Sequence, residues 1–443
     1  MTVVPSPLDN DACDTAIRAD FLHFLSDPDK SGDAYEYVED GLLILKQGRV
    51  RMLVSAAEWI DQLPDGSALY DYSGRLVMPG FIDTHTHYPQ TEMIASHGLQ
   101  LLDWLQQYTF PTERKFAERE YADKIAAFFC DQMLCNGTTT SAVFATVHTQ
   151  SVDAIFEQAQ QRDLCLIAGK VMMDRNAPDE LRDNADSSYR DCSELIRRWH
   201  LEGRNHYAVT PRFAPCSSPA QLEVCGQLLA EQPDLYLQSH VAENRDEVRW
   251  VAELFPDSRS YLDVYDSFGL LGPRSIYGHC IHLDQQDRER MATSGAAIAF
   301  CPTSNLFLGS GLFSLDDARR HDIRVGVATD VGAGTSFSLL QTLAEAYKVC
   351  QLSGQQLTPL KAFYLATLGG ARALYLDHRI GNFRAGKEAD FVVLELGATE
   401  LMQCRMETAS TLEERLFALM MLGDDRCVQA THVMGKRQYS RDA

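Results

Sequence analysis

The chain has 443 residues, 45% of them apolar and only 16 of them proline, which is enough for one large core with a smaller satellite and too apolar for a linker-rich protein. Forty Lys and Arg stand against 62 Asp and Glu, a formal charge of −22, so the surface repels phosphate backbones and anionic membranes and argues against a nucleic-acid or membrane partner. The opening MTVVPSPLDNDACDTAIRADF has no apolar run of signal length, no later stretch holds eighteen uninterrupted apolar residues, and the twelve cysteines include no C-x-x-C; a cytoplasmic chain with reduced, mostly buried thiols is predicted.

In chain order, the first strand-like material is YVEDGLLILKQGRVRML (37–53) and GSALYDYSGRLVM (66–78), apolar stretches punctuated by Gly and Asp. Eight short apolar runs follow: VMPGFID (77–83), TTTSAVFAT (138–146), LCLIAGKVMM (164–173), YAVTPRF (207–213), LYLQSH (235–240), SIYGHC (275–280), AAIAFC (296–301) and RVGVATD (324–330). Helical material lies between them, in EREYADKIAAFFCDQMLCNG, SVDAIFEQAQQR, AQLEVCGQLLAEQP and ENRDEVRWVAELF. Near-continuous apolar strands alternating with helices imply a parallel sheet covered on its faces, and a count of eight points to a closed (β/α)₈, TIM-like barrel, with a doubly wound open sheet as its competitor. Beyond the barrel, GKEADFVVLEL (386–396) and VQATHVMGKRQY (428–439) again read as short strands. Neither end has enough sequence for its own core. The expected organisation is therefore a small β-sandwich built from residues 1–76 and 381–443, with a catalytic barrel over 77–380 between its two parts.

The polar residues worth singling out sit at the ends of these runs. FIDTHTH places His85 and His87 two apart, so extended backbone points both to one face; they are either metal ligands or a hydrogen-bonded structural pair. SHVAE puts His240 at the end of the fifth run with Glu243 three residues on, YGHC puts His279 at the end of the sixth, and VATD puts Asp330 at the end of the eighth. Each alone has a bland explanation: a loop-bonded histidine, a first-turn glutamate, a turn-capping aspartate. Jointly those explanations weaken, because a barrel that closes as proposed carries all its strand ends to one face, where these residues would be expected to form a divalent-metal site.

This combination, an H-x-H on the first strand, an H-x-x-E from the fifth, a His on the sixth and an Asp on the eighth, resembles the metal-dependent aminohydrolases of the amidohydrolase superfamily, and the resemblance covers nearly the whole chain. It implies one divalent ion, zinc with iron or manganese as possible substitutes, held by His85, His87, His240 and Asp330. It implies catalytic roles for Glu243 as acid and base, for His279 beside the attacking water, and for Asp330 as its proton acceptor. The segments GFIDTHTHYPQ, FPTERKF, GKVMMDRNAPD, TPRFAP, SHVAEN, YGHCIHL, FCPTSNLFLGSGLF and ATDVGAGTSFS are most similar to the guanine-deaminating branch, which implies purine contacts at Gln90, Arg212, Phe213 and His240, a free purine base as partner, and a homodimer. Without the resemblance, Arg212 reads as a barrel-end salt bridge, Gln90 as a loop-fixing amide and Phe213 as core. An aminohydrolase for another purine, a pyrimidine or an s-triazine, and a non-catalytic metal-stabilised binding protein, remain the competing functional readings.

Overall fold

Two sheets organise the molecule, and the way they join sets the position of every strand-end residue. The computed structural model describes residues 13–97 and 100–442; the first twelve residues, part of the segment read above for a leader, lie outside the described residues. The strands from the N-terminal end are β1 (Thr15–Phe24), β2 (Tyr35–Lys46), β3 (Arg49–Ser55) and β4 (Ala68–Pro79). The barrel strands are β5 (Phe81–His87), β6 (Thr138–Phe144), β7 (Cys165–Gly169), β9 (Asn205–Pro211), β10 (Tyr236–Val241), β11 (Ser275–His279), β12 (Ala297–Phe300) and β13 (Arg324–Val327), with the two-residue β8 (Val171–Met172) an extension beside β9. The C-terminal end adds β14 (Phe391–Leu394), β15 (Val428–Val433) and β16 (Lys436–Ser440).

The eight barrel strands pair in parallel in sequence order, from β5 through β13. Closure comes just past the end of β13: the Asp330 amide donates to the His85 carbonyl at 3.0 Å and the His87 amide to the Val331 carbonyl at 2.8 Å. Asp83 reinforces the seam, its buried carboxylate accepting from the Thr329 amide at 3.0 Å and from the Thr329 hydroxyl. The sheet is thus a barrel and not the open doubly wound alternative.

Alternation along each strand fills both sides. Ile82, Ala142, Ile167, Ala208, Tyr236, Ile276 and Ala297 form the interior cluster, while Phe81, Val143, Leu166, Tyr207, Leu237, Tyr277 and Ile298 join the shell beneath the helices. Small residues recur inside because a closed eight-stranded sheet leaves little room. Gly278 shows this at the site itself: a Cβ there would lie 3.0 Å from the His85 ring. The four helices read from the sequence are present as Arg119–Cys135, Thr149–Gln161, Pro219–Glu231 and Arg245–Leu254.

Strands from both ends form one seven-stranded sheet, ordered β16-β15-β14-β4-β1-β2-β3. Register shifts in β1–β2, β1–β4, β2–β3, β14–β15 and β15–β16 curl it, so that Ile17, Leu43 and Leu45 share an apolar cluster with Phe391, Val393 and Ala430. This β unit hangs from the barrel floor, since β4 runs into β5 through Gly80 alone, and the Gly80 amide donates to the Asp390 carbonyl at 2.9 Å. Two helices absent from the sequence reading, Glu400–Met406 and Leu412–Leu422, lie between β14 and β15; the second packs on the barrel helix Leu339–Leu352 with the Phe417 and Tyr347 rings 5.0 Å apart.

Candidate functional site

The C-terminal mouth of the barrel gathers the strand-end histidines into one buried cluster. The Nε2 of His87 lies 3.3 Å from that of His85 and 3.1 Å from that of His240, and Oδ1 of Asp330 lies 3.4 and 3.3 Å from the Nε2 atoms of His85 and His87. His279 stands beside them, its Nε2 3.4 Å from Glu243 Oε2 and 3.7 Å from Asp330 Oδ2. His279 and Asp330 take up φ of 69° and 52°, left-handed backbone that non-glycine residues seldom adopt and that here turns their side chains inward as the strands end.

The hydrogen bonds around the rings decide which nitrogens carry protons. His240 Nδ1 is 2.6 Å from the Arg212 carbonyl, an acceptor only, so Nδ1 holds the proton and Nε2 turns its lone pair to the centre. His279 Nδ1 is fixed in the same way against the Asn305 side-chain carbonyl at 2.8 Å. Burial pushes His87 down to about 3, against the raising effect of its bond to Asp330; burial and the neighbouring His85, His87 and His279 push His240 well below the ordinary range. Asp330 is held well below a normal carboxyl: burial would raise it, but bonds from His85 and His87 outweigh that.

Three imidazole Nε2 atoms and a carboxylate oxygen crowd together with neighbours 3.1–3.4 Å apart, an arrangement that a cation at their centre would stabilise. That donor set, three nitrogens and an oxygen, fits a borderline divalent ion such as zinc. Cys301 Sγ also lies within 4.8 Å of donor atoms of His85, His279 and Asp330. Burial pushes its thiol well up, and it donates to the Ala299 carbonyl at 3.3 Å.

Glu243 is placed by the turn that opens the helix Arg245–Leu254. The amides of Glu243 and Asn244 donate to Glu247 Oε2 at 2.9 and 3.1 Å, and Tyr261 donates to Glu247 Oε1 at 2.8 Å, which fixes the backbone carrying Glu243. Its own carboxyl accepts from Ser310 Oγ at 3.1 Å. Burial, and after it the nearby Asp330, pushes this carboxyl above its usual range.

A small cavity opens onto the cluster. Part of its lining is chemical: His87, His240, Glu243, His279 and Asp330. The rest of its lining is largely apolar, with Leu101, Trp104, Leu105, Phe213, Leu308 and Ala333. Two further polar residues line it: Gln90, which accepts from the Gly332 amide at 3.3 Å, and Arg212, whose Nη1 donates to both oxygens of the fully buried Glu113 at 2.8 and 2.9 Å.

All nine residues singled out from the sequence therefore meet: His85, His87, Gln90, Arg212, Phe213, His240, Glu243, His279 and Asp330. The sequence reading missed their supports. Glu113, Asn305 and Ser310 lie in FPTERKF and FCPTSNLFLGSGLF, segments that carry the resemblance without showing a task for these polar residues. Of the apolar lining only Phe213 is legible in the sequence, and Leu101, Trp104 and Leu105 are silent for a different reason. Residues 101–113 fold as a helical turn, a π turn (Leu105–Thr109) and a second helical turn, too short and irregular for a periodicity signal.

Residues 76–437 match the profile of the amidohydrolase family. The guanine deaminase of Escherichia coli strain K12 is 51% identical over 96% of this chain and 98% of its own length, and the solved structure of the E. coli guanine deaminase superposes with a TM-score of 0.95, covering 96% of this chain and 100% of that one. The guanine deaminase from Bradyrhizobium japonicum is 39% identical with a TM-score of 0.92 over 96% of this chain and 99% of that one. The guanine deaminase from C. acetobutylicum, solved with guanine bound in the active site, is 30% identical with a TM-score of 0.86 over 96% and 100%.

Proposed function

We propose that this chain, which belongs to the amidohydrolase family, hydrolytically deaminates guanine, replacing the C2 amino group by oxygen to give xanthine and ammonia. The observation that carries this reading is the meeting of two functions in one small cavity: a metal donor cluster with proton-handling side chains, and directed donors among apolar side chains. The relatives at 51%, 39% and 30% identity, each described as a guanine deaminase, support the choice of base.

His85, His87, His240 and Asp330 would hold the ion, which we assign as zinc from the three imidazoles and one carboxylate. Bound there, it would supply acidification of water, whose pKa falls from about 15.7 towards roughly 7 on such an ion. The remaining work falls to the chain. Asp330, kept ionised, takes a proton from the attacking water, and His279 orients that water through Nε2 because its Nδ1 is committed to Asn305. Glu243 retains its proton into the neutral range because its carboxyl is buried beside Asp330. It gives that proton to the ring nitrogen next to C2, making the carbon electrophilic; as a carboxylate it then takes the proton of the newly added C2 hydroxyl and passes it to the amino group, which departs as ammonia as the C2 carbonyl forms, and the proton held by Asp330 restores Glu243. Arg212 and Gln90 donate toward the purine carbonyl, and Phe213 with the apolar lining covers the flat face of the ring.

A cytoplasmic homodimer acting on the free base completes the reading. The twelve cysteines are all unbridged, in keeping with a reducing compartment, and among the described residues no helix is long and apolar enough to cross a membrane. The net charge of −22 favours a small neutral substrate over a polyanion. The test offers zinc-loaded protein a panel of guanine, adenine, cytosine and an amino-s-triazine while ultraviolet change and ammonia release are followed. Turnover confined to guanine is expected; turnover of another member redirects the assignment, and no turnover by folded, metal-replete protein sinks it.

A further inference from the structure

Glu113 has no part in the reaction just described, yet it is bonded to two of the residues that line its cavity. It is completely buried at the end of the short helix Phe110–Glu113, and two cavity residues from other elements converge on it: Arg212, at the end of β9, and Gln90, just after β5. Arg212 Nη1 reaches both carboxylate oxygens, at 2.8 and 2.9 Å, and Gln90 Nε2 reaches Oε1 at 3.3 Å. A buried ion pair seldom adds stability over an apolar replacement of the same volume, so three buried polar groups joined this way call for a use. The geometry offers one. Because both carboxylate oxygens engage Nη1, the Nη2 and Nε groups of Arg212 remain uncommitted to Glu113. Gln90 is held from both sides, by Glu113 at its nitrogen and by the Gly332 amide at its oxygen.

We infer that Glu113 is a positioning residue for base recognition, fixing Arg212 and Gln90 as a single preorganised donor array for the ring carbonyl of the substrate. The inference rests on the reading in which those two side chains face the purine carbonyl. It also gives the segment 101–113 one coherent task, since the stretch that fixes the polar array contributes Leu101, Trp104 and Leu105 to the apolar lining. Recognition of the carbonyl and cover for the ring then come from the same short piece of chain.

The experiment compares two bases in the zinc-loaded enzyme and in Glu113→Gln. Guanine carries the C6 carbonyl; 2-aminopurine has the same reacting amine and lacks that carbonyl. For E113Q, guanine kcat/KM is expected to fall roughly a hundredfold, the loss that follows from misplacing a bound substrate by about an ångström, with most of the change in KM. The inhibition constant of 2-aminopurine should move little, and zinc content should stay at one per chain. Glu113→Asp, which keeps the charge and withdraws the carboxylate by one methylene, should fall between the two and decides the matter if E113Q does not fold. Equal losses on the two bases, or none on guanine, would overturn the inference and leave Glu113 a structural ion-pair partner. Failure of the underlying reading looks different: the wild-type enzyme does not deaminate guanine, or Arg212→Met leaves guanine KM unchanged.

Discussion

The two ends of the barrel both bury charged clusters, and their opposite construction separates a working site from a structural one. At the floor, Arg204 lies 2.9 Å from Glu388 and 2.5 Å from Asp390, while Arg379 lies 2.9 Å from Glu388, and these charges largely satisfy each other. At the mouth, like groups face each other: three imidazole nitrogens at 3.1–3.3 Å, and Glu243 close enough to Asp330 to feel its charge. A cluster that closes on itself holds parts of a fold together. One that leaves lone pairs and a retained proton directed at a common point is built for something that arrives from outside.

Substitutions at the two ends should consequently fail in different ways. The largest effect belongs to Asp330→Ala and His85→Ala, which should remove the ion and lower kcat/KM by at least about 10⁴-fold. Metal analysis of the folded variants beside ammonia release checks this, and full metal occupancy in both would reject the ligand assignment. Next comes Glu243→Gln, for which metal is retained while kcat drops by about 10³-fold, the range of a lost acid–base group. A pH–rate profile close to wild type would remove Glu243 from proton transfer. At the floor, Arg204→Met strands Asp390 without its guanidinium partner. It should cost about 4 kcal/mol in denaturant unfolding, with kcat and zinc content of the folded enzyme unchanged. A large fall in kcat there would erase the distinction between the two ends.

The smallest predicted effect lies in the β unit, at His432. Its Nε2 accepts from the Tyr72 hydroxyl at 2.9 Å, its ring stacks on Phe391 with centroids 4.3 Å apart, and burial pushes it from 6.5 down to about 4. The unfolded chain then binds more protons than the folded one between these two values. Stability contributed by the neutral ring is present above pH 6.5 and is lost as pH falls towards 4, by up to about 3 kcal/mol. His432→Gln should flatten that part of the stability–pH curve. An unchanged slope between pH 6.5 and 4 would assign the acid sensitivity elsewhere.

Legibility in the sequence followed the same divide between regular and irregular structure. Barrel strands announce themselves because a parallel sheet buried on both faces is written as continuous apolar runs, and the chemistry sits at the ends of those runs, in FIDTHTH, SHVAE, YGHC and VATD. Glu113 gave no such signal. It follows a π turn, not a strand, and a buried glutamate cannot be told from an exposed one until its partner is known. Asn305 and Ser310 were hidden similarly, each a common loop residue until it is seen bonded to His279 or Glu243.

By itself, the sequence determined the alternation of strands and helices, the placement of His85, His87, His240, His279 and Asp330 at strand ends, and the acidic surface, because each depends on local spacing or on composition. Only the tertiary structure decided that the sheet closes from β5 to the residues following β13, that residues up to 245 positions apart bring their donor atoms within 3.5 Å, and that Glu113 holds Arg212 and Gln90. The reason is physical: spacing decides which face of a strand a side chain occupies, but which side chains meet across a barrel is decided by closure, and closure is a property of all eight strands together.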